Sequence, residues 1–188
     1  MFTEEKRQII HILLLFLAFF FKYVDRVYIA GILFLLLLLS LFLVPKSRIK
    51  KYLYRVYEKN KINGGFYYFL ALLVIVLIFP PYVAAASWAI LALGDGMATL
   101  IGKKFKGFSL PWNKKKTYPG TISFIIFGSF GAFVFLKWMI PEMGLSQAFF
   151  LGAKASIAAG IVESFDLRVD DNITVAFTSA LAVFLLAG

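Results

Sequence analysis

The chain has 188 residues, 61% of them hydrophobic, and a mean hydropathy of +0.85; a soluble domain is nearer half apolar, so a soluble globular class is excluded. It has no cysteine, which excludes disulfides and thiolate metal sites. In a chain this apolar, the net charge of +10 reads as membrane topology and attraction to anionic lipid headgroups, and no nucleic-acid partner is expected.

The uncharged runs are long: Val27–Val44 covers 18 residues and Ile62–Gly94 covers 33. A bilayer core takes about 20 helical residues. The pattern predicts an all-α, polytopic integral membrane helical bundle of about seven transmembrane helices, forming a single transmembrane domain over 1–188. Helix 1 is predicted over 8–22. It has no small-residue cleavage site, so it reads as a span and not as a signal peptide. Only fourteen residues separate Arg7 from Lys22, so it either spans with little to spare or lies partly in the interface. Helix 2 is predicted over 27–44. A basic, aromatic segment, 46-KSRIKKYLYRVYEKNKINGG-65, follows, and reads either as a membrane-surface element gathering anionic lipid or as a solvated positive loop. Helix 3 covers 66–79 and is broken by Pro80-Pro81. Helix 4 covers 82–101, a polar loop covers 102–120, and helices 5, 6 and 7 cover 121–140, 145–163 and 172–187.

With seven spans, the N-terminus, the 46–65 segment, the 102–120 loop and the 163–171 turn share one side. Sixteen of the twenty Lys and Arg residues fall there. The positive-inside tendency places that side in the cytoplasm, so the expectation is a multi-pass protein of the cytoplasmic membrane with its active site facing the cytoplasm.

Three stretches carry chemistry. In 94-GDGMATLIGKKFKG-107, Asp95 lies six residues before the predicted end of helix 4, roughly 9 Å below the membrane edge. A carboxylate at that depth costs several kcal/mol unless paired or metal-bound; the alternative is a capping Asp on a span that stops early. Gly94 and Gly96 would let the backbone unwind or a ligand approach. The string 96-GMATLIGKK-104, which includes Lys103, fails as a P-loop: five residues separate its glycines, and Lys104 stands where Ser or Thr belongs.

In 114-KKKTYPGT-121, Lys115, Lys116, Thr117 and Gly120 stand at the mouth of helix 5. Its free N–H groups and dipole would suit phosphate, although the lysines also fit a plain positive-inside flank. In 163-ESFDLRVDDNITV-175, capping explains one of Asp170, Asp171 and Asn172 but not all three. Glu163 ends helix 6, where the dipole disfavours an anion and calls for a compensating cation. Asp166 and Arg168 read as solvated turn residues. Carboxylates of this kind suit Mg²⁺, and with the lysines they form the set that phosphoryl transfer needs.

The blocks 94-GDGMATLIGKKFKG-107, 115-KKTYPGT-121 and 162-VESFDLRVDDNITV-175, in this order, resemble the CTP-dependent lipid-alcohol kinases, the family of dolichol kinase, phytol kinase and the yeast-type diacylglycerol kinase. The chain is more distantly similar to phosphatidate cytidylyltransferase. A fainter echo is 7-RQIIH-11, with Gln8 where the family has lysine. Pro119 stands where many members carry an acid. The resemblance implies Mg²⁺-dependent transfer of the CTP γ-phosphate to the hydroxyl of a membrane lipid alcohol: a polyprenol or dolichol, a phytol-like isoprenoid, or diacylglycerol. On this reading Asp95, Glu163 and Asp171 are catalytic. Gly94, Gly96, Lys103, Lys115, Lys116, Thr117, Gly120 and Asn172 hold the nucleotide, and the metal is held among Asp95, Glu163, Asp170 and Asp171. A CDP-lipid synthase using the same parts and a non-enzymatic cation transporter are the competing readings. His11 reads either as a packed side chain or as a nucleotide or headgroup contact, and Lys154 either snorkels outward or pairs with an acid inside the bundle.

Overall fold

Lipid offers no hydrogen bonds, so a backbone crossing it must satisfy its own polar groups, and helices do so within one segment. The computed structural model describes residues 4–47, 64–105 and 107–188, with side chains from Arg7 onward. These residues form seven helical rods, a polytopic helical membrane fold as expected. Four rods are long and apolar enough to cross a membrane: α2 (Arg26–Lys46), α4 (Pro81–Lys104), α5 (Tyr118–Met139) and α6 (Leu145–Ser164). Two shorter apolar helices complete the core, α3 (Gly64–Ile78) and α7 (Asp171–Ala187). The basic 46–65 segment lies, from residue 48 to residue 63, outside the described residues.

The first rod, α1, is α-helical over Glu4–Leu14 and tightens to a 3₁₀ helix over Leu15–Lys22. A 3₁₀ helix rises about 2.0 Å per residue against 1.5 Å, so the rod reaches about 32 Å. The uncharged stretch between Arg7 and Lys22 rises about 25 Å of this, so the rod has little to spare as a span and is not one of those four. At one end Gln8 bonds α4. At the other, Lys22 donates to the Trp138 carbonyl at 3.1 Å and lies 4.8 Å over its ring, while the Trp138 indole donates to the Phe19 carbonyl.

The remaining boundaries follow local chemistry. Asp25 caps α2 by accepting the Val27 N–H at 2.8 Å. The Pro80-Pro81 break lies where predicted, with Pro81 at the first turn of α4, where its missing N–H costs nothing. The central rod is α4: 67% of its apolar window is buried, against 28% for the peripheral α2. Its buried Ala84, Ala85, Ala86 and Ala89 let neighbours approach closely. The α5–α6 pair uses the same device, since a Cβ on Gly152 would stand 3.2 Å from the Phe133 nitrogen and the Ser129 carbonyl. Lys154, midway along α6, faces outward from the bundle, so it does not pair with an acid inside.

Candidate functional site

Four rod ends meet at one end of the bundle: the C-terminal halves of α4 and α6 and the first turns of α5 and α7. Along Ile90–Asp95, α4 widens to a π-helix, a distortion common at functional sites, and it returns to α-helix from Gly96. Asp95 and Thr99, one turn apart, face α1. The buried Gln8 side chain donates to Asp95 Oδ2 at 2.9 Å and to Thr99 Oγ1 at 3.1 Å, leaving its own Oε1 without a partner. Asp95 is thus held by a neutral donor, which orients the carboxylate without cancelling its charge.

The 105–117 loop folds back through an isolated bridge between Ser109 and Thr117, and the Leu110 N–H donates to the Lys116 carbonyl at 2.9 Å. Asn113 fastens it to α6: its Nδ2 donates to the Ser164 carbonyl at 3.1 Å and its Oδ1 accepts the Lys115 N–H at 3.1 Å. Trp112 adds a bond to the Ser164 hydroxyl at 3.2 Å. This anchoring sets Lys116 beside the end of α6. Its ammonium bonds Glu163 Oε1 in a short ion pair and Asp171 Oδ2 at 2.9 Å. Here is the cation that the position of Glu163 called for. Burial alone pulls the Lys116 ammonium down, but the facing Glu163 and Asp171 carboxylates, with Asp95 behind them, more than reverse this and hold it above the usual lysine range. Glu163 is only 3% exposed, and its second oxygen has no partner.

A cavity of ≈ 510 Å³ lies among these groups. Of the predicted residues, Asp95, Lys103, Lys115, Lys116, Thr117, Gly120, Glu163 and Asp171 line it. Four do not. A Cβ on Gly94 would stand 3.1 Å from the Phe124 ring, and one on Gly96 would stand 2.8 Å from Ile12 Cδ1, so both glycines admit packing, not a ligand. Asp170 caps α7, accepting the Asn172 N–H at 3.0 Å and its Nδ2 at 2.7 Å. Asn172 also reaches the Gly64 carbonyl at 3.3 Å and so ties α7 to α3. Asp166 and Lys115 form an exposed surface pair at 2.8 Å. His11 is buried, stacked 4.0 Å from Tyr68, and does not line the cavity, so the packed reading holds.

The first turn of α5 corrects a further expectation. Its amides are already satisfied: the Tyr118 N–H donates to the Phe108 carbonyl at 2.9 Å, Gly120 to Thr117 Oγ1 at 3.1 Å and Thr121 to the Thr117 carbonyl at 3.0 Å, while Pro119 has no N–H. Free amides therefore do not meet a phosphate there; the lysine side chains and the helix dipole remain. Sequence reasoning missed Gln8 as a partner of Asp95, and it missed Asn113, Thr99 and Thr121. The substitution in the Arg-Gln-Ile-Ile-His echo was the one signal for Gln8.

Would these residues suit a divalent ion? Among the described residues, no group of three or more His, Cys, Asp or Glu is spaced to hold a metal. Mg²⁺ needs only one or two carboxylates when waters and substrate phosphates complete its shell. Glu163 and Asp171 both reach a single ammonium, and the spare Glu163 oxygen is buried at the cavity, so this pair fits such an ion.

The chain is similar to "Farnesol kinase, chloroplastic" of Arabidopsis thaliana, 36% identical over 111 residues, which cover 55% of this chain and 36% of that protein. It is also similar to "Phytol kinase 1, chloroplastic" of Arabidopsis thaliana, 32% identical over 112 residues, covering 56% and 37%. An uncharacterized protein of Rickettsia prowazekii is 27% identical over 195 residues, covering 95% of this chain and 92% of that one. The matched region spans little more than a third of the length of the two kinases. No family model and no solved structure matches. With relatives named farnesol kinase and phytol kinase at 31–36% identity, the resemblance to the lipid-alcohol kinases read from the motifs holds.

Proposed function

We propose that this chain is a lipid-alcohol kinase, transferring the terminal phosphate of a nucleoside triphosphate, CTP on the family resemblance, to the hydroxyl of a membrane isoprenoid alcohol. The observation that carries the reading is the meeting of Asp95, Lys116, Glu163 and Asp171 around one polar cavity at the end of an apolar bundle. The relatives' names favour an isoprenoid acceptor over diacylglycerol.

In this reading Lys103, Lys114 and Lys115 draw the triphosphate into the cavity. Glu163 and Asp171 would hold Mg²⁺, which when bound supplies charge neutralisation across phosphate oxygens. Asp95, oriented by Gln8, which Thr99 holds in turn, accepts the proton of the lipid hydroxyl. The alcohol oxygen bonds to the γ-phosphorus as the bond from that phosphorus to the β–γ bridging oxygen breaks, and the nucleoside diphosphate leaves. Glu163 and Asp171 also fix the height of Lys116, so that charge is arranged before substrate arrives. The catalytic side faces the cytoplasm, where the positive-inside tendency puts the lysine-rich loop.

The test is a transfer assay with CTP labelled separately at the α and γ positions, offered with farnesol, phytol, diacylglycerol and phosphatidate. Label should reach an isoprenoid alcohol from the γ position alone and should need Mg²⁺. Label entering lipid only from the α position would replace the kinase reading with a CDP-lipid synthase.

A further inference from the structure

Lys116 stands where two roles collide. The triphosphate calls for its ammonium, and the ion calls for the two carboxylates that the ammonium occupies. Its side chain is 22% exposed and bonded to Glu163 Oε1 and to Asp171 Oδ2. The backbone around it is fixed, with the Lys116 N–H donating to the Asn113 carbonyl at 3.1 Å and its own carbonyl accepting from Leu110. Any movement is therefore confined to the side chain. The buried, unpartnered second oxygen of Glu163 marks this as a place built for more positive charge than one ammonium supplies.

We propose that Lys116 is an internal placeholder for the divalent ion: it fills the Glu163–Asp171 site until metal and triphosphate arrive together, then turns to the phosphates. This rests on the kinase reading and adds how the site is regulated. An ion arriving alone must displace an ammonium bonded to both carboxylates. An ion arriving with a triphosphate brings the anionic oxygens that receive the ammonium. Metal and nucleotide binding are thereby coupled, and the empty enzyme resists loading with metal alone.

The probe is Mn²⁺, followed by electron paramagnetic resonance on the purified full chain in detergent without nucleotide. Lys116→Gln should bind Mn²⁺ at least tenfold more tightly than wild type, and Lys116→Arg, which keeps the cation, should stay at the wild-type value. Equal affinities for wild type and Lys116→Gln overturn the placeholder. Because Lys116→Gln leaves a buried carboxylate without its cation, a second readout uses wild type alone. At saturating Mn²⁺, acylation of the Lys116 amine relative to Lys103, read by mass spectrometry, should rise at least threefold; unchanged labelling with Mn²⁺ bound overturns the idea. Equal Mn²⁺ affinities in a protein that transfers γ-phosphate sink the placeholder alone. A tenfold gain in a protein that transfers none upholds it and sinks the kinase reading.

Discussion

Gly96 and Gly120 meet different neighbours, and the difference sets what an added methyl does. At Gly96 the new Cβ presses on Ile12 Cδ1, the far end of a flexible side chain. At Gly120 it meets the Ala98 carbonyl oxygen at 3.1 Å and Gly102 Cα at 3.4 Å, both backbone of α4. Gly96→Ala should therefore cost under about 1 kcal/mol, and Gly120→Ala about 1–3 kcal/mol, since two helices must part. Thermal unfolding in detergent checks the order, and equal losses would contradict it. Much at this scale was legible. Asp95 and Glu163 stood out because charge at those places needs a partner. Their partners were not legible: Gln8 lies 87 positions from Asp95, and Lys116 lies 47 from Glu163, distances over which no local pattern operates. Asp170 and Asp171 look alike in sequence, yet one caps a helix and the other lines the cavity.

Among the elements, the 105–117 loop does most to place the site, and its hold on α6 runs through Asn113. Asn113→Ala removes one buried bond to Ser164 and the acceptor for the Lys115 N–H. A loss of roughly 1–1.5 kcal/mol in phosphate positioning corresponds to about a tenfold rise in nucleotide KM, with the unfolding temperature lowered by only a few degrees. An unchanged KM would show that the loop does not position the lysines. Helix boundaries were legible to within a few residues because apolar runs, prolines and capping acids mark them. The 3₁₀ stretch that lengthens α1 was not, since its sequence, LFLAFFFK, suits an α-helix equally well. Nor was the saturation of the α5 amides, which depends on Phe108 folding back across ten residues to reach Tyr118.

At the scale of the whole molecule, the bundle separates its ends. One carries the cavity and its lysines; the other carries Lys22, Lys137 and Trp138. The chain has no native cysteine, so single cysteines report sidedness cleanly. In sealed vesicles, Ser109→Cys and Asp166→Cys should react with an impermeant maleimide from the same side, and Glu142→Cys from the opposite one. Positions 109 and 166 reacting from opposite sides would break the convergence on which the site depends.

The account turns on Asp95 belonging to a phosphotransfer centre together with the acids of α6 and α7. The most direct measurement compares γ-phosphate transfer to an isoprenoid alcohol by wild type and by Asp95→Asn, which keeps the size of the side chain and its contact with Gln8. The expected result is a loss of at least about 100-fold in kcat, the scale of a removed general base, in a variant that stays folded in detergent. Turnover at the wild-type rate would remove Asp95 from the chemistry and contradict the account.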